Sequence, residues 1–118
     1  MTYTKQTGNR GEDLAVAWIL EKGYAIIERN WRFKHCEIDI IASRANKLHF
    51  FEIKTRTNAA FGYPEESIGK KKMQTLLRAA AEYQYMHPEW KLLQIDVLSI
   101  TMFTGKPIEY FLIEDVYF

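Results

Sequence analysis

The stretch of sequence that decides the fold is CEIDIIASRANKLHFFEIK, residues 36–54. Two apolar, β-prone runs flank a short polar break, which is the pattern of two strands joined as a hairpin. Asp39 lies in the first run, Glu52 lies in the second, and Lys54 follows two residues later. Because a charged side chain is costly to bury unless it is paired or binds a metal, these residues predict a divalent-metal site with a lysine beside it.

Length and composition predict a single domain covering residues 1–118. The chain is 47% apolar, which is enough for a core, and 26% charged, which provides a polar surface. No apolar stretch approaches the roughly 20 residues needed to cross a bilayer, and the N-terminus lacks the apolar segment of a signal peptide. The single cysteine, Cys36, excludes an internal disulfide. We therefore expect a cytoplasmic protein with no membrane partner.

The overall charge of +1 does not indicate a nucleic-acid-binding protein, but the distribution of charge is informative. Basic residues precede the acidic pair, accompany it and follow it. A basic patch around an acidic pocket suits a polyanionic substrate that is handled through a metal, whereas ordinary solvated surface is the alternative explanation for each residue. These basic residues are Arg29, Arg32, Lys34, His35, Lys54, Arg56, Lys70, Lys71, Lys72 and Arg78.

The spacing of apolar residues predicts two helices and five strands. Short connections predict that the first three strands are antiparallel neighbours, and the helix between the third and fourth strands predicts a parallel crossover. The result is a mixed sheet flanked by helices, with glycine and proline marking a loop at about 57–64. The predicted elements are a helix at 12–22, strands at 24–33, 37–42 and 48–56, a helix at 67–86, and strands at 92–101 and 108–113.

Strand alternation places Glu52 and Lys54 on one face, where a suitable hairpin register brings Asp39 beside them. Two confined carboxylates repel each other, and Mg²⁺ or Mn²⁺ relieves that repulsion while keeping waters for a phosphate and a nucleophile. The carbonyl of Ile53 is a further candidate ligand, and Lys54 would orient or deprotonate the attacking water or stabilise charge on the phosphate. The alternative is an exposed ion pair between Glu52 and Lys54 or Arg56, because the spacing is common in charged sequences.

Asp39, a hairpin and Glu52-Ile53-Lys54, preceded by a helix bearing Glu12, resemble the PD-(D/E)xK nuclease superfamily, which includes archaeal-type Holliday junction resolvases. Nearly the whole chain resembles the YraN-like family of small uncharacterised bacterial proteins. The segments that carry this resemblance are residues 8–15, 23–24, 29–32, 37–42, 51–56, 61–62, 72 and 95–97.

The resemblance implies a restriction-endonuclease-like α/β fold in the order α-β-β-β-α-β-β. It also implies that Asp39, Glu52 and Lys54 form the metal-binding and catalytic set and that Glu12 is the carboxylate contributed by the first helix. The alternative for Glu12 is a helix acid favoured by the helix dipole. Because junction resolvases act as dimers, the analogy further implies a homodimer.

We therefore expect a Mg²⁺- or Mn²⁺-dependent nuclease that hydrolyses DNA phosphodiesters, with structured or branched DNA as a candidate substrate. The candidate nucleic-acid contacts are Arg32, Arg56 and Lys72. One alternative is a DNA- or RNA-binding adaptor without turnover, and another is a structural domain in which the acids form ion pairs. We further expect Asp96 to have a structural, hydrogen-bonded role, and Trp18, Trp31 and Cys36 to lie in the core. His35 and His49 are expected to be turn and strand residues. Glu37 is expected either to join the site or to face solvent.

Overall fold

The computed structural model describes residues 5–57 and 69–116. Within them lie two helices, α1 (Lys5–Glu21) and α2 (Lys70–Met86), and five strands, β1 (Ala25–Phe33), β2 (Cys36–Arg44), β3 (Lys47–Arg56), β4 (Leu92–Thr101) and β5 (Glu109–Ile113). Their order is the predicted one. The predicted loop after residue 57 and the predicted start of the second helix fall largely outside the described residues.

The start of α1 is the main correction to the predicted elements. The helix begins at Lys5, well before the predicted start at residue 12. Gly8 and Gly11 lower the intrinsic helix propensity of this segment, so the sequence favours a later start than the folded chain adopts. At the other end Gly23 has a φ of 93°, a left-handed conformation that suits glycine after a helix, and the predicted stop is confirmed.

The five strands form one mixed sheet in the order β1-β2-β3-β4-β5. β3 and β4 are parallel, and every other neighbouring pair is antiparallel. The predicted hairpins, parallel crossover and restriction-endonuclease-like α/β architecture are therefore confirmed. Neither of the two helices in residues 5–57 and 69–116 has the length and apolarity to cross a membrane.

The sheet lies between two hydrophobic cores, one under each helix. Leu48 and Phe50 of β3 belong to the core that packs against α2, which also includes Cys36 and Tyr83 and has Trp31 packed against it. Phe51, the next residue of β3, belongs to the core under α1, against which Trp18 packs. The expected core roles of Cys36 and both tryptophans are confirmed, and β3 is held from both faces.

Asp96 is a fully buried acid in the middle of the parallel β3–β4 pair, opposite Phe51, with an exposed fraction of 0%. Its carboxylate lies 2.8 Å from Nδ1 of His49 and accepts hydrogen bonds from Nε2 of Gln94 at 2.7 Å and from the backbone N–H of Asp115 at 2.9 Å. This network joins β3, β4 and the segment after β5. It confirms the structural role predicted for Asp96 and the strand role predicted for His49.

The sheet opens between β2 and β3. Pairing of these strands ends at Ile40 and Phe51, whereas β1 and β2 remain paired as far as Phe33 and Cys36. β3 also continues, paired with β4 as far as Arg56. Consequently the end of the β1–β2 hairpin diverges from β3, and Asp39 and Glu52 are the first residues past the point of divergence.

Candidate metal centre

Asp39 lies at the point where β2 and β3 separate. Its Oδ2 accepts a hydrogen bond from the backbone N–H of Ile53 at 2.8 Å, so a side chain takes the place of a strand partner. The pKa of Asp39 is raised to about 7, chiefly by burial and next by the nearby Glu52 carboxylate, while the Ile53 hydrogen bond opposes the shift. The charged form of Asp39 is therefore destabilised by its surroundings.

Glu52 is more deeply buried, with an exposed fraction of 5%. Its Oε2 lies 3.4 Å from Nζ of Lys54 and 3.7 Å from Nζ of Lys72. Its Oε1 is buried and has no hydrogen-bond partner among the described residues. Burying a carboxylate oxygen without a hydrogen-bond donor costs free energy, because the oxygen loses its hydrogen bonds to water and gains none from the protein. Glu52 therefore presents a free acceptor beside Asp39.

The donor set fits a small hard cation with few protein ligands. In residues 5–57 and 69–116, no group of three or more His, Cys, Asp or Glu side chains is arranged to hold a metal ion. Mg²⁺ is commonly bound through one or two carboxylates and keeps several waters, so the pair formed by Asp39 and Glu52 meets its needs. The carbonyl of Ile53 as a third oxygen ligand stays a prediction, since the contact the structure defines at Ile53 is made by its N–H.

Glu12 has other partners. Its Oε1 accepts a hydrogen bond from Nη2 of Arg29 at 2.6 Å and another from Nδ2 of Asn30 at 3.2 Å. Hydrogen bonds to Glu12 and Asp13 raise the pKa of Arg29, because both carboxylates favour its charged form. The structure does not group Glu12 with the two site carboxylates, and its predicted catalytic role stays a prediction.

The three predicted nucleic-acid contacts have different environments. Lys72 reaches Glu52 from the first turn of α2, which separates it from its neighbours Lys70 and Lys71 as sequence reasoning could not. Arg32 lies on the β1–β2 hairpin, where its Nε is 3.4 Å from Oε2 of Glu37. Arg56 ends β3, and its buried Nε has no hydrogen-bond partner in the described part of the chain.

Sequence reasoning missed the pairing of Lys72 with Glu52 and the separation of β2 from β3. The run of lysines at the start of α2 could have indicated the pairing of Lys72 with Glu52. Because β3 and β4 are parallel, the crossover must run α2 back along the sheet. Nothing in the sequence signalled the second.

With this geometry established, comparison with known proteins assigns a family. The family model described as "Uncharacterised protein family UPF0102" matches residues 11–100, a range that includes both carboxylates and both site lysines. The chain belongs to the UPF0102 family. This confirms the resemblance to the YraN-like proteins.

Relatives of this UPF0102 chain match it over most of their length. A UPF0102 protein of Bacteroides thetaiotaomicron is 43% identical over 97 residues, which cover 82% of this chain and 75% of the relative. A UPF0102 protein of Chlorobium phaeobacteroides is 40% identical over 113 residues, which cover 92% of this chain and 89% of the relative. Among solved structures, SfsA of Pyrococcus furiosus in complex with Ca²⁺ is similar with a TM-score of 0.47 and 18% identity, covering 86% of this chain and 62% of that protein.

Proposed function

We propose that this UPF0102 protein is a divalent-metal-dependent nuclease that hydrolyses DNA phosphodiesters. The observation that carries the proposal is the buried, unpartnered Oε1 of Glu52 beside Asp39, whose pKa is raised to about 7 by burial and by Glu52. Two neighbouring carboxylates on strands held by packed cores repel each other, and a divalent cation bound to both would relieve that repulsion.

Asp39 and Glu52 would hold the ion, with the Ile53 carbonyl as a predicted third ligand. When bound, Mg²⁺ or Mn²⁺ lowers the pKa of an attacking water and stabilises negative charge on the phosphate. Lys54 follows Glu52 on the same face of β3, and its Nζ is 3.4 Å from Oε2 of Glu52. From there its ammonium would donate hydrogen bonds to the attacking water or to a phosphate oxygen and compensate charge there.

The substrate class follows from the charges that surround this pair. Lys72 approaches Glu52 from α2, and Arg56 ends β3 two residues beyond Lys54. Cations close to the acidic pair favour a polyanion whose phosphate would meet the ion while neighbouring phosphates would meet lysine and arginine. That the substrate is DNA, linear or branched, and that the protein acts as a homodimer are parts of this proposal.

The test uses purified protein with labelled linear, flapped and four-way DNAs in Mg²⁺, in Mn²⁺ and in EDTA. We expect cleavage in the metals alone, and a loss of at least about 100-fold in Asp39→Asn, Glu52→Gln and Lys54→Met. Glu89→Gln is the matched control, because it removes an exposed carboxylate charge near the far end of α2.

Cleavage retained by both carboxylate variants would remove the assigned site. If the wild-type protein binds DNA but leaves it intact in both metals, the protein is a nucleic-acid-binding adaptor, and the hydrolase proposal fails.

A further inference from the structure

The β1–β2 hairpin extends past the last β2–β3 pair as a two-stranded arm, here defined as residues 31–38. Its pairs are Trp31 with Ile38, Arg32 with Glu37 and Phe33 with Cys36. The edge of β2 that faces β3 in the rest of the sheet has no β3 partner along the arm. The arm therefore leaves the sheet directly beside Asp39.

The arm is rigid, because aromatic side chains hold it to the body of the protein. Trp31 stacks on Phe33 with ring centroids 6.3 Å apart and meets Tyr83 of α2 edge-on at 5.1 Å. Cys36 and Ile38 are buried in the core under α2. Only the side chains at the tip remain free to meet a partner.

The tip carries positive charge. Arg32, Lys34 and His35 line an open recess of about 370 Å³ together with Cys36 and Glu37. The side chain of Arg32 is 74% exposed, and its contact with Glu37, at 3.4 Å, is an exposed one that screening by water makes weak. Little free energy is needed for Arg32 or Lys34 to leave its present contacts and bind a phosphate oxygen.

The length of the arm determines how far its tip lies from Asp39. Lys34 lies five residues before Asp39, in the turn of the arm, and at about 3.3 Å per strand residue this separation is at most about 16 Å. One strand of B-DNA rises about 3.4 Å per nucleotide, so the tip is about four to five base pairs from a phosphate held at Asp39. A duplex is stiff over this span, and its backbone keeps a fixed position relative to the cut phosphate. A single strand has no such fixed position.

We infer that the arm is a duplex-binding element: Arg32 and Lys34 contact the phosphate backbone of double-stranded DNA, and Lys34, at the tip, does so about four to five base pairs from the phosphate at Asp39 and Glu52. The inference rests on the proposed function for the position of that phosphate. It adds the substrate class, a paired flank beside the scissile bond, and it makes Arg32 and Lys34 positioning residues rather than catalytic ones.

The test compares Arg32→Gln/Lys34→Asn with wild type in binding to a labelled duplex of about 30 base pairs and to one of its single strands. Binding is measured by fluorescence anisotropy over a series of salt concentrations. Lys34 has a φ of 56°, a left-handed conformation that asparagine tolerates better than lysine, so the variant is expected to fold. Lys91→Asn is the matched control, because Lys91 is exposed and precedes β4 at the opposite end of the sheet.

We expect the double variant to bind the duplex about tenfold more weakly. The slope of log binding constant against log salt concentration, which is negative, should become smaller in magnitude by about 2, as for two lost phosphate contacts. Its binding to the single strand should change less than twofold, and Lys91→Asn should match wild type on both. Wild-type protein that ignores duplex DNA, an arm variant that binds duplex normally, or equal losses on duplex and single strand would each overturn the inference.

The two proposals fail separately. If binding depends on the arm but no metal supports cleavage, the duplex-binding inference holds and the hydrolase proposal fails. If duplex is cleaved by the site while the arm variant binds and cleaves it normally, the hydrolase proposal holds and the inference fails.

Discussion

Asp39 and Ile53 are joined by a hydrogen bond, 2.8 Å from the backbone N–H of Ile53 to Oδ2 of Asp39, at the point where β2 and β3 stop pairing. The bond replaces an interstrand hydrogen bond with a side-chain contact. It holds the Asp39 carboxylate beside the strand that carries Glu52, even though burial and Glu52 both oppose a charge there. The separation of the strands and the placement of the carboxylate pair are therefore one structural feature.

The first prediction concerns stability and pH. The pKa of Asp39 is about 7 in the folded, metal-free protein and close to 3.8 when unfolded, so the folded state binds the proton more tightly. The stabilisation linked to this group is complete below the unfolded pKa and is lost as pH rises through 7. Asp39→Asn carries no charge, and at pH 8 in EDTA it should be more stable than wild type by about 2–4 kcal/mol.

Urea denaturation between pH 4 and pH 8 measures this difference. The gap between variant and wild type should be smallest at pH 4 and largest at pH 8, and saturating Mn²⁺ should narrow it at pH 8 by stabilising wild type alone. A gap that is independent of pH would show that Asp39 does not titrate in this range.

The second prediction concerns the competition between lysine and metal for Glu52. Lys72 lies 3.7 Å from Oε2 of Glu52 and also lowers the pKa of Asp39 by its charge. Lys72→Met removes a cation that partly neutralises the pair, so Mn²⁺ should bind about three- to tenfold more tightly in calorimetry. Lys70→Met, an exposed neighbour in the same helix, should leave the affinity within about twofold. Weaker Mn²⁺ binding in Lys72→Met would contradict the competition.

The third prediction concerns the contact between α1 and β3. A Cβ atom added at Gly11 would lie 3.3 Å from Cβ of Thr55 and far inside contact distance of its Oγ1. Gly11→Ala should therefore lower the free energy of unfolding by about 1–3 kcal/mol. Thr55→Ala removes Oγ1, the atom that lies nearest, together with Cγ2, so the double variant should recover most of that loss in a double-mutant cycle. Additive effects would mean that the clash is relieved elsewhere.

The fourth prediction concerns the buried network around Asp96. Asp96→Ala leaves the donors of Gln94 and Asp115 without their acceptor in a buried setting. The loss should be at least about 3 kcal/mol in urea denaturation. Glu89→Ala removes an exposed carboxylate and should stay within about 0.5 kcal/mol of wild type. A loss at Asp96 as small as that at Glu89 would assign the network no part in stability.

The fifth prediction concerns the turn between β2 and β3. Ala45 has a φ of 53°, a conformation that costs an alanine roughly 1–2 kcal/mol and a glycine almost nothing. Ala45→Gly should raise the unfolding free energy by about 0.5–1 kcal/mol, part of the gain being offset by the freer unfolded chain. The same change at Ala17, exposed on α1, should lower it by about 1 kcal/mol. Equal signs at the two positions would contradict the left-handed turn.

Most of the architecture could be predicted from the sequence, because it depends on local patterns. The bounds of β4 agree with the prediction, since residues 92–101 are rich in apolar, β-prone side chains and have turn signals on both sides. The start of α1 could not be predicted, because packing overrides the low helix propensity of Gly8 and Gly11. Gly11 is buried against Thr55, a contact between positions that are distant in sequence.

The candidate site was predictable in composition and only partly in geometry. Alternation was enough to place Glu52 and Lys54 on one face of β3, and the hairpin that joins β2 to β3 made Asp39 their expected neighbour. The position of Glu12 was not predictable from alternation, because it depends on Arg29, a residue 17 positions away that lies on another element. The separation of β2 from β3 is also a tertiary property, and it decides both the site and the arm.

β3 carries neighbouring side chains into two different cores, Phe50 toward α2 and Phe51 toward α1. A strand fixed on both faces cannot slide or tilt to increase the distance between the Glu52 carboxylate and that of Asp39. The usual ways in which a protein relaxes crowded charge, namely backbone adjustment and rotation toward solvent, are closed to Glu52. Protonation of Asp39 remains and, under the proposed function, so does binding of a cation, so protons and a metal ion would compete for the carboxylate pair.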